Sequence, residues 1–236
     1  MLPTARLGHV WSFHCVRAWM RSHRGRAMPL IVALSVWCLS ASNAFAQGPA
    51  RIVMRVYDAV GVSHPSLGRA ELTIRELLAD AGVDPAWRNC RVPETPSTSA
   101  TDSCADVLIP SEFIIRIVRA PRSVADAEVL GYSYVDPYRR QGTLATVFAD
   151  RVRALASALQ IEEGTLLGRA ITHEVGHLLL GTLSHSGQGL MRGRWSNQGG
   201  PADWLFSATQ AQEIRGALVA RVNGGAPAIA LARSPR

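Results

Sequence analysis

Lysine does not occur in this chain: all 25 basic residues are arginine. Five of those arginines, and none of the 18 acidic residues, lie before Gln47. From Gln47 onward 20 arginines face 18 acids, so the formal charge falls from +7 to about +2. The alkaline balance belongs mostly to the N-terminal stretch, and a nucleic-acid role loses its main support. Long apolar runs are also missing. The stretch from Pro29 to Leu39 is too short to span a bilayer comfortably, and no later segment is apolar enough to try. No internal repeat occurs. Cysteine is scarce: Cys15 and Cys38 fall in the N-terminal stretch, which leaves only Cys90 and Cys104.

What is there begins with a leader. Arg17, Arg21, Arg24 and Arg26 precede the apolar run, and Ala44-Phe45-Ala46 makes a small-x-small cleavage site before Gln47. This pattern predicts a signal peptide over residues 1–46, cleaved after about Ala46, and a secreted or periplasmic product. The region ahead of the apolar run is long, so a start at Met20, which keeps three arginines ahead of the run, fits as well as one at Met1, and the sequence leaves the choice among Met1, Met20 and Met28 open. Trp37 before Cys38 is a poor fit to a lipobox, so no stable membrane anchor is expected. About 190 residues remain, enough for one domain over 47–224, with a disordered tail over 225–236. In an exported protein the even pair Cys90 and Cys104 predicts a disulfide closing a fifteen-residue loop, worth roughly 3 kcal/mol on the chain-entropy model. The competing reading is two zinc ligands, but thiolate pairs for zinc usually stand two to four residues apart.

The pattern of elements predicts an α+β domain with about five strands. Strands are expected at Arg51 to Tyr57, near Ala86 to Val92, at Glu112 to Val118, at Val129 to Val135 and at Thr143 to Phe148. The last two are joined by a turn around Asp136-Pro137. Leu67, Ala70, Ile74, Leu77, Leu78 and Ala81 recur at helical spacing, with Ser66 as N-cap and Gly82 as stop. From Asp150 a further apolar stripe, Val152, Leu155, Ala156 and Leu159, predicts a helix whose Arg151 and Arg153 lie on a solvated face. Another helix runs from near Gly164 to Gly181, a natural C-terminal stop. Ser207-x-x-Gln210 forms a capping box opening a last helix through Val222 to Asn223-Gly224.

Residues 173 to 185 read HEVGHLLLGTLSH. On a helix His173 and His177 stand at i and i+4, so both rings leave one face about a turn apart, as two ligands of a tetrahedral zinc require. Glu174 lies about a quarter-turn round, near a zinc-bound water without capping the metal. This is the H-E-x-x-H arrangement of two nitrogen ligands and a general base. A helix carrying these residues by chance is the bland alternative. Only four histidines follow the leader, however, and three of them fall within these thirteen residues. A catalytic zinc wants three protein ligands and an open position. No acid follows Glu174 until Asp203, and no glutamate until Glu213, whereas His185 is close and Gly181 lets the chain fold back under the metal.

Here the sequence resembles the metzincin family, whose pattern is H-E-x-x-H-x-x-G-x-x-H followed by a methionine-containing turn. The matching residues are His173, Glu174, His177, Gly181, His185 and Met191. Strict spacing would put the glycine at 180 and the histidine at 183, where this chain has Leu180 and Leu183. Family members with a tyrosine near the methionine turn use it beside the metal, and no tyrosine occurs here after Tyr138. The chain is also similar to a group of uncharacterised exported zinc peptidases of soil bacteria, which share HE-x-GHLLLG and HS-x-x-G-(L/I)-M-R-x-x-W. The second segment runs here from His185 to Trp195. That similarity extends over most of the chain after the leader, including the cysteine pair and the segment Ala145 to Val152.

The resemblance implies an α+β fold with a mixed, twisted sheet of about five strands, an active-site helix, a methionine turn and a C-terminal helix. It also implies one Zn(2+) per chain on His173, His177 and His185, with Glu174 as general base in peptide hydrolysis. The partner is then a peptide or protein substrate and the protein a monomer. In such enzymes substrate lies extended along the edge strand, here Leu130 to Val135, although an ordinary edge strand reads the same. Met191 is expected as a packed floor, and Arg192, Arg194 and Trp195 either line the cleft or form an exposed loop. His64, beside Pro65, reads as a surface turn residue. Two rivals stay open: a zinc hydrolase of a non-peptide amide such as a cell-wall component, and a non-catalytic secreted zinc-binding domain. Glu174 counts against the second, since a structural site needs no base.

Overall fold

The computed structural model describes residues 48–90, 104–195 and 200–224. The leader expected over 1–46 and the tail expected over 225–236 lie outside the described residues. Among the described residues the elements run β1 (Ala50–Asp58), α1 (His64–Asp80), β2 (Val83–Cys90), β3 (Glu112–Val118), β4 (Gly131–Asp136), β5 (Gln141–Phe148), α2 (Ala149–Leu159), α3 (Glu163–Leu180) and α4 (Ala208–Val222). A short 3-10 turn, Pro201–Trp204, precedes α4.

The five strands form one mixed sheet in the order β2-β1-β3-β5-β4. β1 pairs in parallel with β2 and β3, and β3 with β5, while β4 runs antiparallel to β5 at the edge. Alternation explains the faces. Ile52, Met54, Val56, Phe113, Ile115, Ile117, Ala145 and Val147 point one way and are buried in a core shared with α1, α3 and α4. In register on the opposite face stand Arg55, Ile114, Leu144 and Tyr134. α3 is buried along nearly its whole length, because it packs between α1 and the β4–β5 end of the sheet.

Several local expectations shift. α1 is capped by Ser63, whose hydroxyl accepts from the Ser66 amide, so Ser66 lies inside the helix. Pro65 can occupy the first turn at no hydrogen-bond cost, so the helix begins at His64, three residues earlier than a Ser66 cap would place it. His64 is thus an exposed first residue of a helix and not a turn residue. Gly82 does follow α1 at φ +77°, the left-handed position that ends a helix. The capping box of Ser207 and Gln210 has both of its hydrogen bonds.

Arg151 departs from its expected solvated face. Its guanidinium donates to the carbonyls of Val124, Asp126 and Val129 and lies over the Phe148 ring, tying down the loop that leads into β4. Arg153 does stay exposed, paired with Glu163. Cys90 and Cys104 are joined in a disulfide. Arg55 and Glu112 form a buried pair, and Arg55 also donates to the carbonyls of Cys104 and Asp106. No described helix is long and apolar enough to cross a membrane.

Candidate metal centre and cleft

α3 sets the centre of the site. His173 and His177 leave the same side of the helix, and their Nε2 atoms stand 3.1 Å apart. The Nδ1–H of His173 donates to the Leu190 carbonyl and that of His177 to the Thr182 carbonyl, each at 2.8 Å. These bonds hold both rings and leave the Nε2 lone pairs free to converge. Burial, the largest effect, pulls both imidazoles down to a pKa of about 4. Both are therefore neutral, the form that ligates a metal.

His185 completes the group. α3 stops at Gly181, whose φ of +62° turns the chain back, and a Cβ there would lie 2.1 Å from the Arg140 carbonyl oxygen. The returning chain brings the His185 ring within 5.2 Å of His173 and 5.0 Å of His177, centroid to centroid. The ligand atoms of all three lie within 4.8 Å of one another. At Zn–N distances of 2.0–2.1 Å and tetrahedral angles, two ligand nitrogens sit roughly 3.3 Å apart. The His173–His177 pair fits that spacing, and three imidazoles match the donor preference of zinc. Asp203, the other acid considered nearby, instead pairs with Arg192 at 3.4 Å.

The loop carrying His185 is closed on itself. The Ser186 amide donates to the Met191 carbonyl and the Leu190 amide to the Leu205 carbonyl, so this turn is anchored to the segment before α4. Met191 is fully buried, and its sulfur packs on α3 at Gly176, where a Cβ would lie 2.5 Å from Sδ. Trp195 stands edge-on to His173 and to Trp204, and Arg169 stacks over Trp204 at 3.8 Å.

Glu174 lies on the edge-strand side of the site. Its Oε2 and its own backbone carbonyl both lie 2.7 Å from the hydroxyl of Ser133 in β4. Burial raises the carboxyl to a pKa of about 7, against the lowering effect of the Ser133 hydrogen bond. Gly131, Ser133 and Val135 alternate on the inward face of β4. Ser133 was nonetheless missed as a site residue, although a lone hydroxyl among inward apolar positions was the available signal. The carbonyls of Leu190 and Thr182 left no signal, since every residue has one.

A cavity of about 500 Å³ opens beside His173, Glu174 and His185. Leu130 and Gly131 form one wall, Ala154, Leu155 and Ala158 of α2 another, and Arg192 to Trp195 a third. Arg194 and Glu128 pair across it at 3.0 Å.

No family model matches the chain. No curated protein sequence matches it either. Among solved structures it is similar to archaemetzincin from Methanopyrus kandleri, at 14% identity over 74% of this chain and 99% of that one, with a TM-score of 0.45. It is similar to a zinc-dependent peptidase from Methanocorpusculum labreanum, at 13% identity over 69% and 99%, with a TM-score of 0.41. Metalloproteinase-II from Bacteroides fragilis aligns at 14% identity over 74% of this chain and 55% of its own, with a TM-score of 0.46.

Proposed function

We propose that the protein is a secreted zinc-dependent metallopeptidase of metzincin-like type, with one zinc held by His173, His177 and His185. The observation that carries this is the pair of imidazoles with Nε2 atoms 3.1 Å apart, His185 within reach of both and a buried carboxyl on the same helix. Zinc bound there supplies Lewis acidity, polarising a carbonyl and lowering the pKa of water to about 7. Glu174 takes the proton of the attacking water and passes it to the leaving amine, as a general base that becomes a general acid. Ser133 holds that carboxyl against β4, and Met191 fixes the floor beneath α3. The cavity beside the site takes one substrate side chain.

Export is part of the same reading. It is supported by the leader pattern before Gln47 and by a disulfide, which persists in oxidising compartments. The likeness to exported zinc peptidases of soil bacteria rests on the HE-x-GHLLLG and HS-x-x-G-L-M-R-x-x-W segments. A monomer with a peptide or protein substrate completes it. The decisive variant is Glu174→Gln: zinc and fold are expected to survive while turnover falls by about 10²–10⁴. Assaying wild type on casein and on peptidoglycan tells a peptidase from a hydrolase of cell-wall amides. A fully active Glu174→Gln variant would remove Glu174 from the chemistry.

A further inference from the structure

Among the described residues β4 is the free edge of the sheet, bonded only to β5. The Phe148 amide donates to the Leu130 carbonyl at 2.7 Å, so Leu130 directs its backbone groups toward β5. Backbone direction alternates along a strand, so Tyr132 and Tyr134 do the same, while Gly131 and Ser133 direct N–H and C=O outward. Those same two residues border Glu174. A Cβ on Gly131 would lie 3.1 Å from Glu174 Oε1, and the Ser133 hydroxyl bonds the carboxyl. A peptide paired to the free groups of Gly131 and Ser133 therefore passes directly by Glu174.

Side chains of such an added strand alternate between the two faces. Those level with Gly131 and Ser133 fall on the side of α3 and the cavity. Those level with Tyr132 and Tyr134 fall on the opposite face, where the two rings are 46% and 73% exposed. Tyr132 is held in place, its ring 6.0 Å from that of Phe148, and its strand neighbour across β5 is the uncharged Thr146; Tyr134 faces Leu144. Sheets commonly blunt a free edge with lysine, proline or a bulge. β4 has neither lysine nor proline, and its one irregularity comes at Tyr134/Val135, after the stretch facing Glu174.

We infer that Tyr132 and Tyr134 form a second specificity surface, on the far face of the sheet from the metal centre. It selects aromatic or large aliphatic side chains, two residues apart, of a peptide paired along β4. The inference rests on the peptidase reading. Main-chain bonds to Gly131 and Ser133 give affinity, and the alternate side chains give selection.

The test compares wild type with Tyr132→Thr and Tyr134→Thr, which keep β-propensity, with Tyr132→Phe, which keeps the ring, and with Tyr138→Thr beyond the strand. Cleavage of a peptide library is read for all. Binding of fluorescent pentapeptides is read in each variant combined with Glu174→Gln, with circular dichroism and zinc content as folding checks. Each Thr variant is expected to lose about five- to tenfold in kcat/KM or affinity for peptides with aromatic residues, and little for their alanine counterparts. Tyr132→Phe and Tyr138→Thr should match wild type. Cleavage with an unchanged profile in both folded Thr variants overturns the inference and leaves the peptidase reading intact. Peptide binding that the Thr variants weaken, without cleavage by wild type, upholds the surface and overturns the peptidase. Absence of both binding and cleavage overturns both.

Discussion

Ser133 on the edge strand and Glu174 on the buried helix are joined by a 2.7 Å hydrogen bond, 41 residues apart in sequence. The contact locks the carboxyl beside the histidines to the strand that borders the cleft. Ser133→Ala removes it without touching a metal ligand. Bonds to charged groups are worth about 1.5–3 kcal/mol, so kcat should fall by roughly ten- to a hundredfold with zinc content unchanged. Steady-state kinetics beside metal analysis decide it, and an unaltered kcat would leave the contact without a role in the reaction.

Zinc stoichiometry is the second expectation. Protein purified without added metal should hold about one zinc per chain, and His173→Ala or His177→Ala should abolish it. His185→Ala should bind zinc more weakly, while His64→Ala, on the exposed first turn of α1, should match wild type. Equal losses at His64 and His173 would mean that the site is built elsewhere. Tight binding by His185→Ala would show that the loop histidine is not a ligand.

Gly176 offers a test of the floor. Alanine is the better helix former by about 1 kcal/mol, so propensity alone predicts that Gly176→Ala is stabilising. A Cβ there, however, would stand 2.5 Å from Met191 Sδ and 2.8 Å from Phe206 Cε1, both buried. Overpacking of this kind costs about 1–3 kcal/mol, so thermal unfolding should come several degrees lower. A higher Tm would refute the close packing of Met191 on α3.

The Cys90–Cys104 disulfide should be quantitative in exported protein. Alkylation followed by intact-mass measurement should find two reactive thiols only after reduction. Reduction should cost about 3 kcal/mol of stability, read from denaturant unfolding. Free thiols in the native protein would contradict the bond.

The sequence by itself determined whatever depends on short-range periodicity. Two histidines four apart on a helix must share a side of it, so the His173–His177 pair was legible before any fold was known. The strand Glu112–Val118, the stop at Gly181 and the Ser207 capping box were equally local, each set by a backbone preference or a bond spanning a few residues. Boundaries slipped where local signals compete: Ser63 and Ser66 both suit a cap, and the chain alone does not rank them. Tertiary structure decided what depends on distant partners. Arg151 left its solvated face because three carbonyls of the loop before β4 gather round it. Ser133 meets Glu174 only because the antiparallel β4 lies at the sheet edge beside α3. Leu190 and Thr182 orient the histidines through backbone carbonyls that no residue type advertises. Local pattern fixes which side chains share a face; which two faces meet is settled by packing between elements remote in sequence.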